Sequence, residues 1–352
     1  MSLTKLALIF LSLYFLNGFS QIPEYYNLID FDLNGEVLEN DLSLLITTTH
    51  INLLPYTSSS LDTWDAVKQT DLDPNNSENV LLFYGYNDTD GTVKTDYTRD
   101  KDLSCHSNSC IGLFNREHVY PKSIATPNLD TDYPSSGTDA HNLRACDSQM
   151  NSSRSNRLFQ DDTGDSHITS SGEWYPGDEW KGDVARIIMY MHIRYASQCP
   201  ANDIGTGLNF YHPDMPDLFL QWNVDDPVSE YELQRNLVLE SIQGNRNPFI
   251  DNPYLATKIW GGVDAEETWG LLSTNDFNLT KIKIYPTLVH EKLYISNITI
   301  SEVGITVYNL SGQKINVPTK VNYIDVGQLD YGMYILRIAN HENITSYKFI
   351  KN

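Results

Sequence analysis

Positive charge is scarce in this 352-residue chain. Lysine and arginine number 24 against 46 acidic residues, giving a formal net charge of −22. A chain so acidic is repelled at long range by polyanions. It can engage phosphate only where its few cations cluster or where a divalent metal neutralises the site. Long apolar runs are missing after the first twenty residues, so no later stretch is suited to cross a bilayer as a helix. Cysteine is limited to four. These lack the paired C-x-x-C spacing that zinc favours, and no H-E-x-x-H occurs. What is plentiful is apolar material, 40% of residues, which excludes wholesale disorder and suffices for packed cores. The length suits two domains, or one large and one small.

The one long apolar run, Leu6 to Leu16, follows Lys5 and precedes Gly18-Phe19-Ser20. Small residues at −3 and −1 of a cut before Gln21 mark residues 1–20 as a secretory signal peptide. The run is well short of the roughly 20 residues a membrane span needs. Export places the cysteines in an oxidising compartment. Cys105 and Cys110 are close enough in sequence to close a small loop, which leaves Cys146 and Cys199 for a second bridge. Four cysteines allow three connectivities, and zinc is the competing use.

Asp30, Asp32, Asn34 and Gly35 resemble the start of an EF-hand loop. Its twelfth position is Asp41 rather than glutamate and no helix precedes it, so a turn is favoured. That turn leads into a helix carrying Leu38, Leu42, Leu45 and Ile46. Leu61 to Val67 is expected to be a short helix and Val80 to Tyr84 a strand. Asn87 to Gly91 is turn chemistry, with calcium binding as the competing use of its carboxylates. Ile111 to Phe114 is a strand leading to Glu117-His118. Asp139 to Leu143 forms the next strand, and Ser148 caps a helix that carries Asn151. Lys181 to Tyr195 is a helix with Val184, Ile187, Ile188, Met191 and Tyr195 on its apolar face. Arg186 and His192 project elsewhere, and His192 is read as an ordinary surface or core histidine. Ser229 and Glu232 form a capping box for a helix that ends at Gly244.

Composition changes after Trp269. Residues 266–280, with Asn275 to Thr280 at their end, read as a linker. Period-two pairs follow at Ile282/Ile284, Leu293/Ile295, Ile305/Val307 and Tyr334/Leu336/Ile338, with a hairpin turn at Ser311-Gly312. They predict a small all-β sandwich over residues 281–352.

The segment from Asn115 to Asn156 concentrates chemistry. Glu117 sits beside His118, and Asn151 follows in the helix. Cleaving a phosphodiester needs a deprotonated water, positive charge on the phosphoryl oxygens and help for the leaving oxygen. A neutral imidazole can take the proton. A carboxylate and an amide oxygen are hard ligands that suit Mg2+. Arg116, Arg144, Arg154 and Arg157 bring guanidinium groups to the same window, and these suit phosphate. Neighbours on a strand point to opposite faces, so Glu117 and His118 can share a site only where the strand ends or bends; Pro121 favours such a turn.

Five segments in order carry a family resemblance. They are Asn-Arg-Glu-His-Val-Tyr-Pro-Lys-Ser (115–123), Asp-Ala-His-Asn-Leu-Arg (139–144), Asn-Ser-Ser-Arg-Ser-Asn (151–156), Lys-Gly-Asp-Val-Ala-Arg (181–186) and Gln-Gly-Asn-Arg-Asn-Pro-Phe-Ile-Asp (243–251). Together they resemble the secreted bacterial endonuclease I family, which is similar to other His-Me finger (ββα-metal) nucleases. The resemblance implies an α+β fold, with a mixed helical catalytic domain over residues 21–265 that contains such a finger. It implies a sugar-non-specific endonuclease for DNA and often RNA that leaves 5′-phosphate ends; a monomer is expected apart from that resemblance. By position, His118 matches the general base. Glu117 and Asn151 match the ligands of one Mg2+, for which Ca2+ or Mn2+ can substitute. Arg154 is the first choice for a phosphate-stabilising arginine and Arg157 the next, with Arg116 and Arg144 as further substrate contacts. His141 and Asn142 are read as structural supports. Tyr120 and Ala145 stand where tryptophan and proline are frequent.

The tail resembles the sorting domain of type IX secretion, through Tyr285-Pro286, Val307 to Gly312, Leu329-x-x-Gly332-x-Tyr334 and Lys348 to Lys351; Thr287 replaces an expected Asn. This implies contact with secretion machinery and a secreted or cell-surface location, with removal of the tail and its retention as an anchor both open. Two competing readings are a non-catalytic, calcium-binding surface or adhesion protein and a phosphodiesterase for small or lipid substrates.

Overall fold

A computed structural model describes residues 22–107, 110–271, 283–296, 304–310, 312–320, 322–339 and 344–352. The signal peptide, the Asn275 to Thr280 linker, Ile282 and Ser311 lie outside the described residues. The chain divides into two compact units, Met1–Gly270 and Leu271–Asn352.

In the first unit, helix α1 (Gly35–Thr49) buries Leu38, Leu42 and Ile46. The acidic segment before it is a turn in which Asp30 Oδ1 accepts from the Asp32 amide at 2.9 Å. Helix α2 (Thr63–Thr70) starts two residues later than expected, because Asp62 and Asp65 form its capping box. Strands β1 (Leu72–Asp73), β2 (Asn76–Leu81) and β3 (Thr98–Asp100) make a small sheet. The predicted strand through Tyr84 therefore stops at Leu81, and Tyr84 itself adopts a left-handed φ of 70°. The turn at Asn87 to Gly91 uses its carboxylates internally. Asp88 accepts from the Tyr97 and Thr98 amides, and Asp90 from the Thr92 amide and the Thr95 hydroxyl.

Strand β4 (Phe114–His118) pairs antiparallel with β5 (Leu143–Asp147), Glu117 opposite Arg144 and His118 opposite Leu143. Helix α3 (Ser148–Arg154) follows directly. Three expectations need correcting. The first strand begins at Phe114 rather than Ile111, because Ile111 and Gly112 form a turn in which Gly112 takes a φ of 76°. The second strand begins at Leu143 rather than Asp139, because the Asp139 carboxylate caps a 3-10 turn over Ala140–Asn142. Asp147, not Ser148, caps α3 by accepting from the amides of Gln149 and Met150. The same carboxylate holds Arg99 at 2.6 Å. One face of the pair packs Phe114, Leu143 and Ala145 against Trp64, Val67, Val80 and Leu82.

After β6 (His167–Ile168) and β7 (Trp174–Tyr175) comes α4 (Lys181–Arg194), which is buried nearly all round rather than on one face. Its neighbours include α1, α5 (Asp217–Asp225) and α7 (Pro248–Asp251). Burial is tolerated because its polar groups are paired. Arg186 meets both oxygens of Glu232 at 2.7 Å. His192 Nδ1 accepts from the Ala201 amide at 3.3 Å, so this histidine is a satisfied core residue. Helix α6 (Glu230–Gln243) opens on the Ser229/Glu232 box and ends at Gly244, whose φ is 96°. Helix α8 (Tyr254–Trp260) completes the unit.

Cys105 and Cys110 are bridged, whereas Cys146 and Cys199 are free and buried. The second disulfide is thus not formed. A buried thiol packs as a small apolar side chain, and an oxidising compartment does not force it to pair.

In the second unit, β8 (Lys283–Tyr285), β10 (Lys292–Ser296) and β13 (Tyr323–Asp325) form one sheet. Strands β9 (Leu288–Val289), β11 (Gly304–Asn309), β12 (Lys314–Ile315), β14 (Gly332–Ala339) and β15 (Ile344–Lys351) form the other. Leu293 and Ile324 from the first share one core with Val307, Leu336 and Phe349 from the second, so the two sheets make a small sandwich.

Candidate active site

Glu117 and His118 end β4, and both line one open pocket of about 310 Å³. Lys122, Ser123, Asn151 and Asn156 share it. Ending the strand at His118 lets two sequence neighbours reach the same space. The chain beyond is clamped by Asn142, which accepts from the Tyr120 amide at 2.7 Å and donates to the Tyr120 carbonyl at 3.0 Å. His141 is held by the Asn245 carbonyl at 3.2 Å.

His118 Nε2 lies 2.9 Å from the Gly137 carbonyl oxygen. A carbonyl only accepts, so Nε2 carries the hydrogen and Nδ1 keeps a free lone pair. The ring stacks on Tyr56 at 5.7 Å between centroids. Burial pulls its pKa down to about 4, with Lys122, Arg116 and Arg154 pushing the same way, so the imidazole is neutral at physiological pH. Gly137 has to be glycine, because a Cβ there would run into the Asp130 carbonyl.

Glu117 is 2% exposed. Its Oε1 accepts from the Tyr84 hydroxyl at 3.2 Å and lies 3.4 Å from Arg154 Nε, an ion pair without hydrogen-bond alignment. Burial raises its pKa to about 7 despite Arg154 and the Tyr84 hydrogen bond. A carboxylate so under-compensated is a natural seat for a cation. Asn151 faces the same pocket, and its amide nitrogen donates to Asn115 Oδ1 at 2.7 Å, which leaves its own Oδ1 available as a ligand. Among the described residues no group of three or more His, Cys, Asp or Glu could hold a metal. The donor set is therefore two hard oxygens, which fits a divalent ion such as Mg2+ that keeps several waters.

The arginines distribute differently from expectation. Arg144 is fully buried, its Nε 3.0 Å from Asp71 and its NH1 2.7 Å from Asp183, and it is not part of the pocket. Its expected substrate contact is thus corrected to an internal ion-pair network, which Arg235 joins at 2.7 Å from Asp71. Arg154 is also fully buried, with NH2 on the Val119 carbonyl and NH1 on the Ser155 carbonyl. Arg157 NH1 is turned onto the Ser153 and Arg154 carbonyls. Arg116 lines the pocket, but its guanidinium lies between the rings of Tyr56 and Trp64, at 3.5 and 4.0 Å.

Sequence reasoning missed Tyr56, Tyr84, Asn115 and Gly137. Only Asn115 left a signal, since it stands two residues before Glu117 on one strand and so shares its face.

Residues 34–254, well over half of the chain, match the family model for Endonuclease I. The chain belongs to the endonuclease I family. Residues 283–352 match the secretion system C-terminal sorting domain. The endonuclease segment is similar to the extracellular ribonuclease of Bacillus subtilis (strain 168), at 39% identity over 56% of this chain and 67% of that protein. It is similar also to the extracellular ribonuclease of Bacillus amyloliquefaciens, at 38% identity over 56% and 66%. Endonuclease-1 of Buchnera aphidicola subsp. Baizongia pistaciae is 27% identical over 41% and 56%. The chain thus spans about two thirds of the length of each Bacillus relative. Family and tail together make this endonuclease I protein a secreted or cell-surface nuclease, of a family that generally uses a divalent metal. Among the described residues no helix is long and apolar enough to cross a membrane.

Proposed function

We propose that this nuclease is a monomeric, non-specific endonuclease that hydrolyses DNA and RNA by a one-metal mechanism and leaves 5′-phosphate ends. Strands β4 and β5 with α3 would be its ββα-metal finger. Its catalytic domain, expected over residues 21–265, is taken to run on to Gly270, since Trp269 packs on Tyr26 and Phe31 at 5.0 and 5.2 Å, and the remainder of the expected 266–280 linker then leads to the sorting domain at 281–352. The observation that supports this reading best is the His118 imidazole, held through Nε2 by the Gly137 carbonyl in the pocket that also contains Glu117 and Asn151.

The steps follow from the side chains. His118 Nδ1 takes a proton from a water, whose oxygen forms a bond to phosphorus while the bond from phosphorus to the 3′-oxygen breaks; the departing 3′-oxygen takes a proton from solvent water, and the imidazolium later returns its own to solvent. The imidazolium produced keeps its Nε2 hydrogen on Gly137, so the ring need not turn. Glu117 and Asn151 Oδ1 would hold the ion, with Asn115 fixing the amide and Tyr84 and Arg154 fixing the carboxylate. When bound, Mg2+, or Mn2+ or Ca2+ in its place, supplies positive charge at the phosphoryl oxygens and the departing oxygen. The nucleophile is water, so no 2′-hydroxyl is needed and both sugars are acceptable. Relatives named as ribonucleases and as an endonuclease agree with that breadth. The tail would engage the type IX machinery during export.

Plasmid DNA and a structured RNA, each with Mg2+ and with chelator, test this reading. Both should be cut only with metal, and H118A should slow cleavage about 10²–10⁴-fold. A H118A protein that cuts as fast as the parent rules out the assigned base.

A further inference from the structure

Charge developing on the phosphoryl oxygens is stabilised further by a protein cation beside the metal, and the arginines near the pocket are engaged elsewhere. Arg154 is enclosed by backbone carbonyls and Phe159, its guanidinium carbon 4.7 Å from that ring. Arg157 is folded back onto α3. Arg116 has both faces covered by rings, and its NH1 is spent on the Tyr56 carbonyl and the Thr63 hydroxyl.

We propose that Lys122 is the residue that contacts the phosphate of the scissile bond. It lies four residues beyond His118 and lines the pocket with Glu117, His118 and Asn151. Its ammonium makes one hydrogen bond, to the Thr131 hydroxyl at 2.7 Å, and among the described residues it forms no ion pair. An ammonium has three donors, so two remain for phosphoryl oxygens. The group sits 5.9 Å from the centroid of Tyr56, the same ring that stacks on His118. Its carbonyl accepts from the Leu129 amide at 3.1 Å. Backbone carbonyl and ammonium are thus both tied to the Leu129–Thr131 loop, which holds the lysine at the pocket with N–H groups still unspent. Asp130 and Asp132 line an adjoining pocket that Lys122 and Ser123 share. Their carboxylates disfavour phosphate there, whereas in the Glu117 pocket a bound divalent ion would offset the carboxylate. In a chain of net charge −22, this ammonium is the pocket's free positive tip.

The assignment rests on the one-metal reading above, and the test separates the two. K122M, K122R and H118A are made in the full chain. Cleavage of duplex DNA with Mg2+ is followed, together with binding of a labelled duplex to each variant in Ca2+ across a salt series. H118A is also combined with K122M so that binding is read without turnover. K122M should lower kcat/KM about ten-fold or more for both DNA and RNA. It should also flatten the dependence of log affinity on log salt by about one relative to its parent. K122R should recover most of both, which a merely structural role would not require. Thermal melting checks folding, and K122Q replaces K122M should the latter unfold. Unchanged kcat/KM and salt slope in K122M, beside an inactive H118A, would overturn the lysine assignment and leave the base standing. A fully active H118A overturns the mechanism on which the assignment rests.

Discussion

Replacing Glu117 by glutamine removes a charge that the metal-free protein holds at a cost. Burial lifts the folded carboxyl from its ordinary value of 4.5 to about 7. At about 1.4 kcal/mol per pH unit, that difference corresponds to about 3 kcal/mol. The sign follows from linkage. Between these two values the folded state keeps the proton and the unfolded state has lost it, so Glu117 costs stability as pH rises. Its stabilising contribution is complete below about pH 4.5 and gone above about pH 7. His118 acts in the opposite sense, since burial holds its pKa near 4 against an ordinary 6.5. Its contribution is present above about pH 6.5 and lost as pH falls toward 4. In the parent the two slopes cancel over most of that interval. Urea unfolding in chelator at steps from pH 4.5 to 8 should show E117Q matching the parent at the acid end. It should exceed the parent by up to about 3 kcal/mol at the alkaline end. Saturating Mg2+ should stabilise the parent and leave E117Q nearly unchanged. A stability difference that is flat with pH, or equal stabilisation of both proteins by Mg2+, would refute the view of Glu117 as an under-compensated carboxylate awaiting a cation.

Three further outcomes are expected. Asn115→Leu frees the Asn151 amide and should weaken Mn2+ binding, measured by calorimetry, by about 10-fold or more, with little change in melting temperature. Arg144→Met removes the guanidinium that pairs with Asp183 at 2.7 Å and leaves Asp71 with Arg235 as its remaining arginine. It should cost about 3 kcal/mol in chemical unfolding, while the folded fraction keeps its rate per molecule. Thiol alkylation followed by mass spectrometry should label neither Cys146 nor Cys199 in the native protein and both after unfolding without reductant.

Features fixed by short offsets were legible in the sequence. The Ser229/Glu232 box, the glycine that closes α6 and the period-two strands of the tail all depend on neighbours a few residues away. The strand, strand and helix around Glu117, His118 and Asn151 were legible in order, with both strands displaced: the first because Ile111 and Gly112 form a turn, the second because Asp139 spent its carboxylate on one. Roles that depend on distant partners were not legible. Tyr84 reaches Glu117 across 33 residues, and Gly137 reaches His118 through its backbone, which no side-chain pattern reports. The arginines misled for a related reason. With acidic residues in nearly two-fold excess, a guanidinium near the motif in sequence is readily claimed by a buried carboxylate from elsewhere, as Asp71 and Asp183 claim Arg144.

The internal pairing of Arg99, Arg144, Arg186 and Arg235 has a kinetic consequence. Guanidinium groups locked inside cannot form a sliding surface along a phosphate backbone, and the exterior that remains is acidic. Residence on a polymer after each cut is therefore expected to be short, with the enzyme leaving rather than tracking. Digestion should be distributive: a limiting amount of enzyme nicks every plasmid in a population before any one is degraded to fragments.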